Sequence, residues 1–113
     1  MTAKMLFESA MLNLGYRQTD EMLTAAIAFI NQVCADIAAL TGAKHKPISS
    51  LSEKLQISDS VASNVALYGL AMFLALHRGD GDKNRFYANL YNQKRRLLST
   101  STQRTDLLPK GED

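Results

Sequence analysis

Apolar residues recur along this chain at three- and four-residue spacing in four segments, and glycines punctuate the gaps between them. The first segment predicts a short amphipathic helix from about Ala3 to Leu14, closed by Gly15 in the left-handed conformation. Thr19 is the expected cap of a second helix, with Asp20 and Glu21 at the positive end of its dipole. That helix should run to about Leu40 on a stripe of Leu23, Ile27, Ile30, Cys34, Ile37 and Leu40, widened by Met22, Ala26 and Val33. Ser58 or Asp59 caps a third helix to about His77 that is apolar on nearly every side and therefore predicted to be central. Gly69 in its middle costs about 1 kcal/mol in helix propensity, which predicts the close approach of another backbone. Gly79 to Asp82 reads as a tight corner, with Asp82 as the cap of a fourth helix from about Lys83 to Ser99.

The fourth helix has Phe86, Tyr87, Leu90, Tyr91, Leu97 and Leu98 as its predicted inner stripe, and Arg85, Asn89, Asn92, Gln93, Arg95 and Arg96 as its outer face. Residues 43–58 lack a sustained period and contain Pro47; Ile48, Leu51, Leu55 and Ile57 are the anchors expected to tie this stretch to the body. The pattern therefore predicts an all-α protein: a compact, four-helix bundle-like subunit over residues 1–99, with an irregular loop between helices two and three. Residues 100–113 are polar and rich in helix breakers, and are predicted to form a flexible C-terminal tail.

Composition narrows the class. With 113 residues and 46% apolar content the chain is one domain's worth and too apolar for intrinsic disorder. A net charge of +2 does not by itself imply nucleic acid. Its distribution says more: residues 1–42 are slightly acidic, whereas Lys83, Arg85, Lys94, Arg95, Arg96 and Arg104 span a stretch without a single acid. Lys94 to Arg96 would offset the negative end of the helix dipole; a run of three cations also suits a partner or DNA, and both readings stay open. Cys34 stands alone on an apolar stripe, which excludes an internal disulfide and points to a buried thiol in a reducing compartment. The N-terminus does not read as a signal peptide, and the apolar run from Val65 to Leu76 is shorter than the roughly 20 residues that span a bilayer, so a soluble protein without a membrane partner is expected.

Catalytic chemistry finds no constellation. His45 and His77 are separated by a whole helix, and neither a glycine-rich phosphate loop nor a paired-carboxylate spacing is present. Asp80, Asp82 and Asn84 have the spacing that opens a calcium loop, but Arg85 and Tyr91 stand where that loop requires Gly and Glu. Lys44, His45 and Lys46 read as a solvated loop tip. No enzyme, cofactor or metal is expected, and function is sought in contact surfaces. Two faces qualify. One is the alanine-rich face of helix two, Ala25, Ala28, Ala35 and Ala39 with Gln32, which is either simply a good helix former or a subunit contact. The other is the outer face of helix four, Arg85, Asn89 and Asn92.

Several segments in order resemble the small head-tail connector, or adaptor, proteins of tailed bacteriophages and prophages. They are Leu12, Gly15 and Tyr16 before Asp20; Ile30, Asn31 and Asp36; the Pro-Ile-Ser-Ser-Leu-Ser stretch from Pro47; Tyr68-Gly69-Leu70-Ala71; Gly79-Asp80; and Phe86, Leu90-Tyr91-Asn92 and Lys94-Arg95. The resemblance implies a helical subunit that forms a ring of about twelve copies under the portal. Such a ring extends the DNA channel, supports head completion and carries the tail. The implied partners are further copies of the chain, the portal, a downstream tail or head-completion protein, and packaged DNA contacted without sequence readout. The implied location is the virion neck, assembled in the bacterial host cytoplasm. In that family the C-terminal helix or tail engages the portal, which would assign Lys94, Arg95, Arg96, Arg104, Leu107 and Leu108 to that contact. The competing reading is a small helical DNA-binding regulator, favoured by the tight corner and the basic fourth helix. Against it, the cations lie at the C-terminal end of that helix, whereas recognition helices contact bases mostly from their N-terminal part.

Overall fold

Three short side chains start three helices by taking an otherwise orphaned backbone N–H. In the computed structural model, which describes the backbone of residues 1–107 and the side chains of residues 1–98, Thr2 Oγ1 accepts from Met5 N at 3.2 Å and opens α1, Ala3–Leu14. Thr19 Oγ1 accepts from Met22 N at 3.2 Å and opens α2, Asp20–Thr41. Ser58 Oγ accepts from Val61 N at 3.2 Å and opens α3, Asp59–Arg78. The fourth helix, α4, spans Gly81–Leu107. Its cap is Asp80 and not the predicted Asp82: Asp80 Oδ1 accepts from Lys83 N at 3.2 Å, and its other oxygen takes the Tyr16 hydroxyl at 2.9 Å. That second bond selects Asp80, leaving Asp82 exposed and paired with Arg85. Gly79, at φ 81°, makes the reversal between α3 and α4, a conformation that side chains with a Cβ rarely adopt.

The helix also continues beyond the predicted end at Ser99, because no glycine or proline intervenes between Gly81 and Pro109. Residues 108–113, the last part of the predicted tail, lie outside the described residues.

The central helix is α3, which packs against α1, α2 and α4. Leu70, Ala71, Leu74 and Ala75 on it are fully buried, and the alanines allow neighbouring helices to come close. Its apolar character does not extend to full burial, since Leu76 is 61% exposed and Met72 and Phe73 are half-buried. A feature absent from the sequence reading lies in its first half: Ala62–Ala66 form a π turn, in which Leu67 N–H reaches back to Ala62 O. One extra residue in that turn rotates the faces before and after it by about 100°. Ala62, Val65 and Ala66 thereby face the core, while Ser63 and Asn64 stay in solvent.

The predicted stripe of α2 is turned. Met22, Ala26, Ile30, Val33, Cys34, Ile37 and Ala38 are the buried positions, and Leu23, Ile27 and Leu40 are only half-buried. The reason is that α2 is gripped from two sides. Phe29 stacks on Phe73 of α3 at 5.4 Å, while Asn31 holds the loop on another flank. Asn31 Oδ1 accepts from Ile48 N at 2.8 Å and its Nδ2 donates to Ile48 O at 2.9 Å. The loop then turns on Glu53, whose carboxylate accepts from Ser49 N and Ser50 N at 2.7 and 2.8 Å. It comes back along the start of α1, where its Glu53 and Leu51 carbonyls accept from Ala3 N and Lys4 N at 2.9 and 2.8 Å. First-turn amides of α1 thus find partners in a segment about fifty residues away. Of the four predicted loop anchors, Ile48 and Leu55 are buried and Leu51 and Ile57 pack against the core from its edge.

Gly69 meets a side chain instead of the predicted backbone. A Cβ there would stand 2.8 Å from Cε1 of the Tyr91 ring. Because Tyr91 is buried and its hydroxyl is bonded to Asp36, the ring cannot simply swing aside. In an unobstructed helix Gly69→Ala would gain about 1 kcal/mol; overpacking here costs about 1–3 kcal/mol. The expected result is a net loss of stability, read as a melting temperature lower by several degrees with helical circular dichroism unchanged.

Candidate functional site

Consecutive residues on a helix point about 100° apart, so the Lys94-Arg95-Arg96 run cannot act as one patch. The three cations go to three surroundings. Arg95, predicted to face outward, turns toward α2: its Nε and Nη2 donate to Asp36 Oδ2 and Oδ1 at 2.8 and 2.7 Å. Tyr91, one turn earlier, donates its hydroxyl to Asp36 Oδ2 at 2.6 Å. The Arg95 guanidinium, and after it the Tyr91 hydroxyl, hold the Asp36 carboxyl below the usual carboxylate range, against the opposing effect of burial. Burial first, and then the bond to Asp36, push the Tyr91 phenol up. A half-buried carboxylate on α2 needs a counter-charge, and α4 is the helix that can supply it. Lys94 is half-buried with its Nζ 5.8 Å over the Tyr68 ring, and only Arg96 of the three is exposed. Arg104 and Leu107 lie where side chains are outside the described residues, and Leu108 is outside them altogether.

The two predicted subunit faces are on the surface. Ala28, Gln32, Ala35 and Ala39 are exposed and Ala25 is half-buried, so α2 presents a smooth face of small side chains. No Lys or Arg occurs anywhere in α2, whereas Asp20 and Glu21 stand exposed at its start. On α4, Asn89 and Asn92 are exposed, and Arg85 is exposed and paired with Asp82 at 2.6 Å.

A further surface was missed by the sequence pattern. Phe86 and Leu97, assigned to the inner stripe of α4, are 59% and 66% exposed. Phe86 precedes Arg95 by nine residues, about 180° around the helix. With Arg95 held against α2, the flank bearing Phe86 and Leu97 must turn away from α2. Half-buried Leu90 lies between them. The legible signal was width. Phe86 stands about 140° from Tyr91, more than the roughly 100° that one core-facing stripe occupies.

At the opposite end of α4 the two interhelical joints meet. Besides the Tyr16–Asp80 bond, Lys83 Nζ donates to Leu14 O at 2.6 Å, and the Arg78 and Lys83 cations stand 4.7 and 4.9 Å from the Tyr16 ring centre. Burial, with the Asp80 bond second, pushes the Tyr16 phenol up to about 12. The segments Gly15-Tyr16 and Gly79-Asp80, far apart in the chain, are thus one packed joint.

On the other side of α2 the loop encloses a cavity of about 220 Å³, floored by Ile30, Cys34, Ile37, Ile48 and Leu55, with Lys44, His45 and Lys46 among its lining. Burial pushes the Cys34 thiol up to about 11, which keeps it protonated and a poor nucleophile at neutral pH. Among the described residues no three His, Cys, Asp or Glu side chains gather as a metal-holding group. By length and composition alone α2 and α3 could each cross a membrane, a property the shorter apolar run in the sequence did not convey; both also contribute residues to the buried core of this bundle. No protein-family model matches the chain, and neither a curated protein nor a solved structure matches it.

The Asp36 clamp sets an acid limit on stability. A carboxyl whose folded value is depressed stabilises the fold above its unfolded pKa, near 4, and loses that contribution as pH falls through the lower folded value. A third of each partner remains in water, so Asp36→Asn is expected to cost about 1 kcal/mol at neutral pH, or about 4–8 °C in melting temperature. Melts repeated from about pH 5 to about pH 2 should show the gap between wild type and variant closing as Asp36 protonates.

Proposed function

We propose that this chain is a structural assembly subunit that acts through its surfaces, and that it serves as a head-tail connector in the neck of a tailed bacteriophage or prophage. The observation that carries the reading is the pair of chemically unlike faces on different flanks of one subunit. One is the apolar ridge of Phe86 and Leu97 on α4; the other is the flat, cation-free alanine face of α2. A closed ring needs such a pair, because each subunit must offer its neighbour a patch different from the one it receives. Large side chains against small ones supply shape complementarity. Exposed Arg96 on α4 and exposed Asp20 on α2 supply charge of opposite sign.

The resemblance to connector proteins adds the setting: copies ringed on a portal, a tail or head-completion protein docked below, and packaged DNA passing through. A channel for moving DNA is served by scattered cations that touch phosphate without reading bases. The dispersal of Lys94, Arg95 and Arg96 into three directions suits that better than it suits a duplex-binding regulator.

Two outcomes are expected. Phe86→Asp with Leu97→Asp should leave the helical signal and melting temperature nearly unchanged, as exposed substitutions do, and abolish assembly on portal particles measured by sedimentation; Ala28→Glu with Ala35→Glu should do the same from the other side of the contact. Deleting the chain from the virus should give DNA-filled heads that leak and carry no tails. Particles that stay sealed, tailed and infectious without it would refute the connector role.

A further inference from the structure

The cavity between α2 and the loop is used by none of the contacts described so far. Asn31 keeps it open, because its two bonds to the Ile48 backbone hold the loop against α2 from one edge while Cys34 and Ile37 lie below. An apolar void of about 150 Å³ already admits benzene, so 220 Å³ accommodates branched aliphatic side chains. Lys44 and Lys46 give its lining positive charge.

The chain itself contains a segment of matching chemistry. Leu107 and Leu108 are adjacent, with Asp106 before them and Lys110, Glu112 and Asp113 after, three acids against one cation. We infer that the cavity of one copy receives the Leu107–Leu108 pair of a second copy, with the flanking acids against Lys44 and Lys46. The inference rests on the self-assembly reading and reassigns this leucine pair from the portal contact to a neighbouring subunit.

Geometry favours a second copy over the same one. Val61 lines both the cavity and a shallow groove that reaches Leu97 and Leu98, so α4 passes this end of the bundle near Leu98. It then continues as helix to Leu107, nine residues or about 13 Å farther. Nine further residues of helix hold Leu107 at a fixed distance from Leu98, which favours the cavity of a neighbouring copy over the one beside Leu98.

Cys34 in the cavity floor is the single cysteine, which makes the contact directly testable. Equal amounts of isotopically heavy and light full-length Leu108→Cys chain are assembled, oxidised with copper phenanthroline and mapped by mass spectrometry, with sedimentation run in parallel. A disulfide forms only when the two Cα atoms come within about 7 Å. The expected result is a disulfide between Cys34 of one chain and the thiol introduced at position 108 of another, joining heavy to light, in about tenfold excess over disulfides between two introduced thiols. In the unaltered chain, alkylation of Cys34 by a small maleimide should slow about fivefold on assembly, and Leu107→Asp with Leu108→Asp should abolish that slowing.

Assembly accompanied only by disulfides between two introduced thiols, or by disulfides from Cys34 to position 108 within one chain, would overturn the docking and leave the connector proposal standing. Slowing that persists in the double Asp variant would assign the cavity to another occupant and overturn it as well. Failure of the chain to associate at all, alone or on portal, would remove the self-assembly reading and this inference together.

Discussion

The clamp of Tyr91 and Arg95 on Asp36 holds one face of α4 against α2, and the outward facing of Phe86 and Leu97 goes with it. The carboxylate lies half-buried on α2, 59 residues before the guanidinium that pairs with it. Two parallel N–H donors and a phenolic hydroxyl fill the carboxylate with directional bonds, and the ring of Tyr91 lies on the bare backbone at Gly69. Once Tyr91 and Arg95 face inward, helix geometry leaves no freedom: Phe86 and Leu97 face outward. A half-buried ion pair on one side of α4 therefore goes with an exposed apolar ridge on the other.

The ends of the bundle are secured by a different device, in which chain reversals bond to one another. Tyr16, just after α1, meets Asp80, just before α4, between two cations. The loop after α2 supplies carbonyls to the first turn of α1. These contacts explain why several separated segments have the residues they do. Gly15-Tyr16, Gly79-Asp80 and the stretch from Pro47, all among the segments of the connector resemblance, are thereby packing and corner elements of one fold.

Function in such a protein falls to what the fold leaves uncovered. Three features among the described residues enter the proposals made above: the ridge of α4, the alanine face of α2, and the cavity under the loop. The first two are complementary in size and charge and lie on different flanks. The cavity is the socket proposed for Leu107 and Leu108 of a neighbouring copy. Different surfaces on different sides are what the assembly subunit proposed above would need, since a heterologous contact joins two unlike patches.

Helix beginnings and ends were readable because capping is local. Thr19 and Ser58 bond an amide three residues ahead, and Gly15 and Gly79 terminate helices through their own backbone angles. The four loop anchors and the central place of the third helix followed from apolar content in the same way. Facing was not readable. The cap at Asp80 was selected by Tyr16, the turned stripe of α2 by helix and loop neighbours on two sides, and the inward Arg95 by Asp36. The π turn at Ala62–Ala66 has no apolar period to announce it. The cavity is formed where the loop, held to α2 by Asn31 and Ile48, meets residues of two helices. Periodicity in a sequence states that a helix has an apolar side; which of its edge positions are covered is decided by partners distant in the chain, and only the tertiary structure brings those partners together.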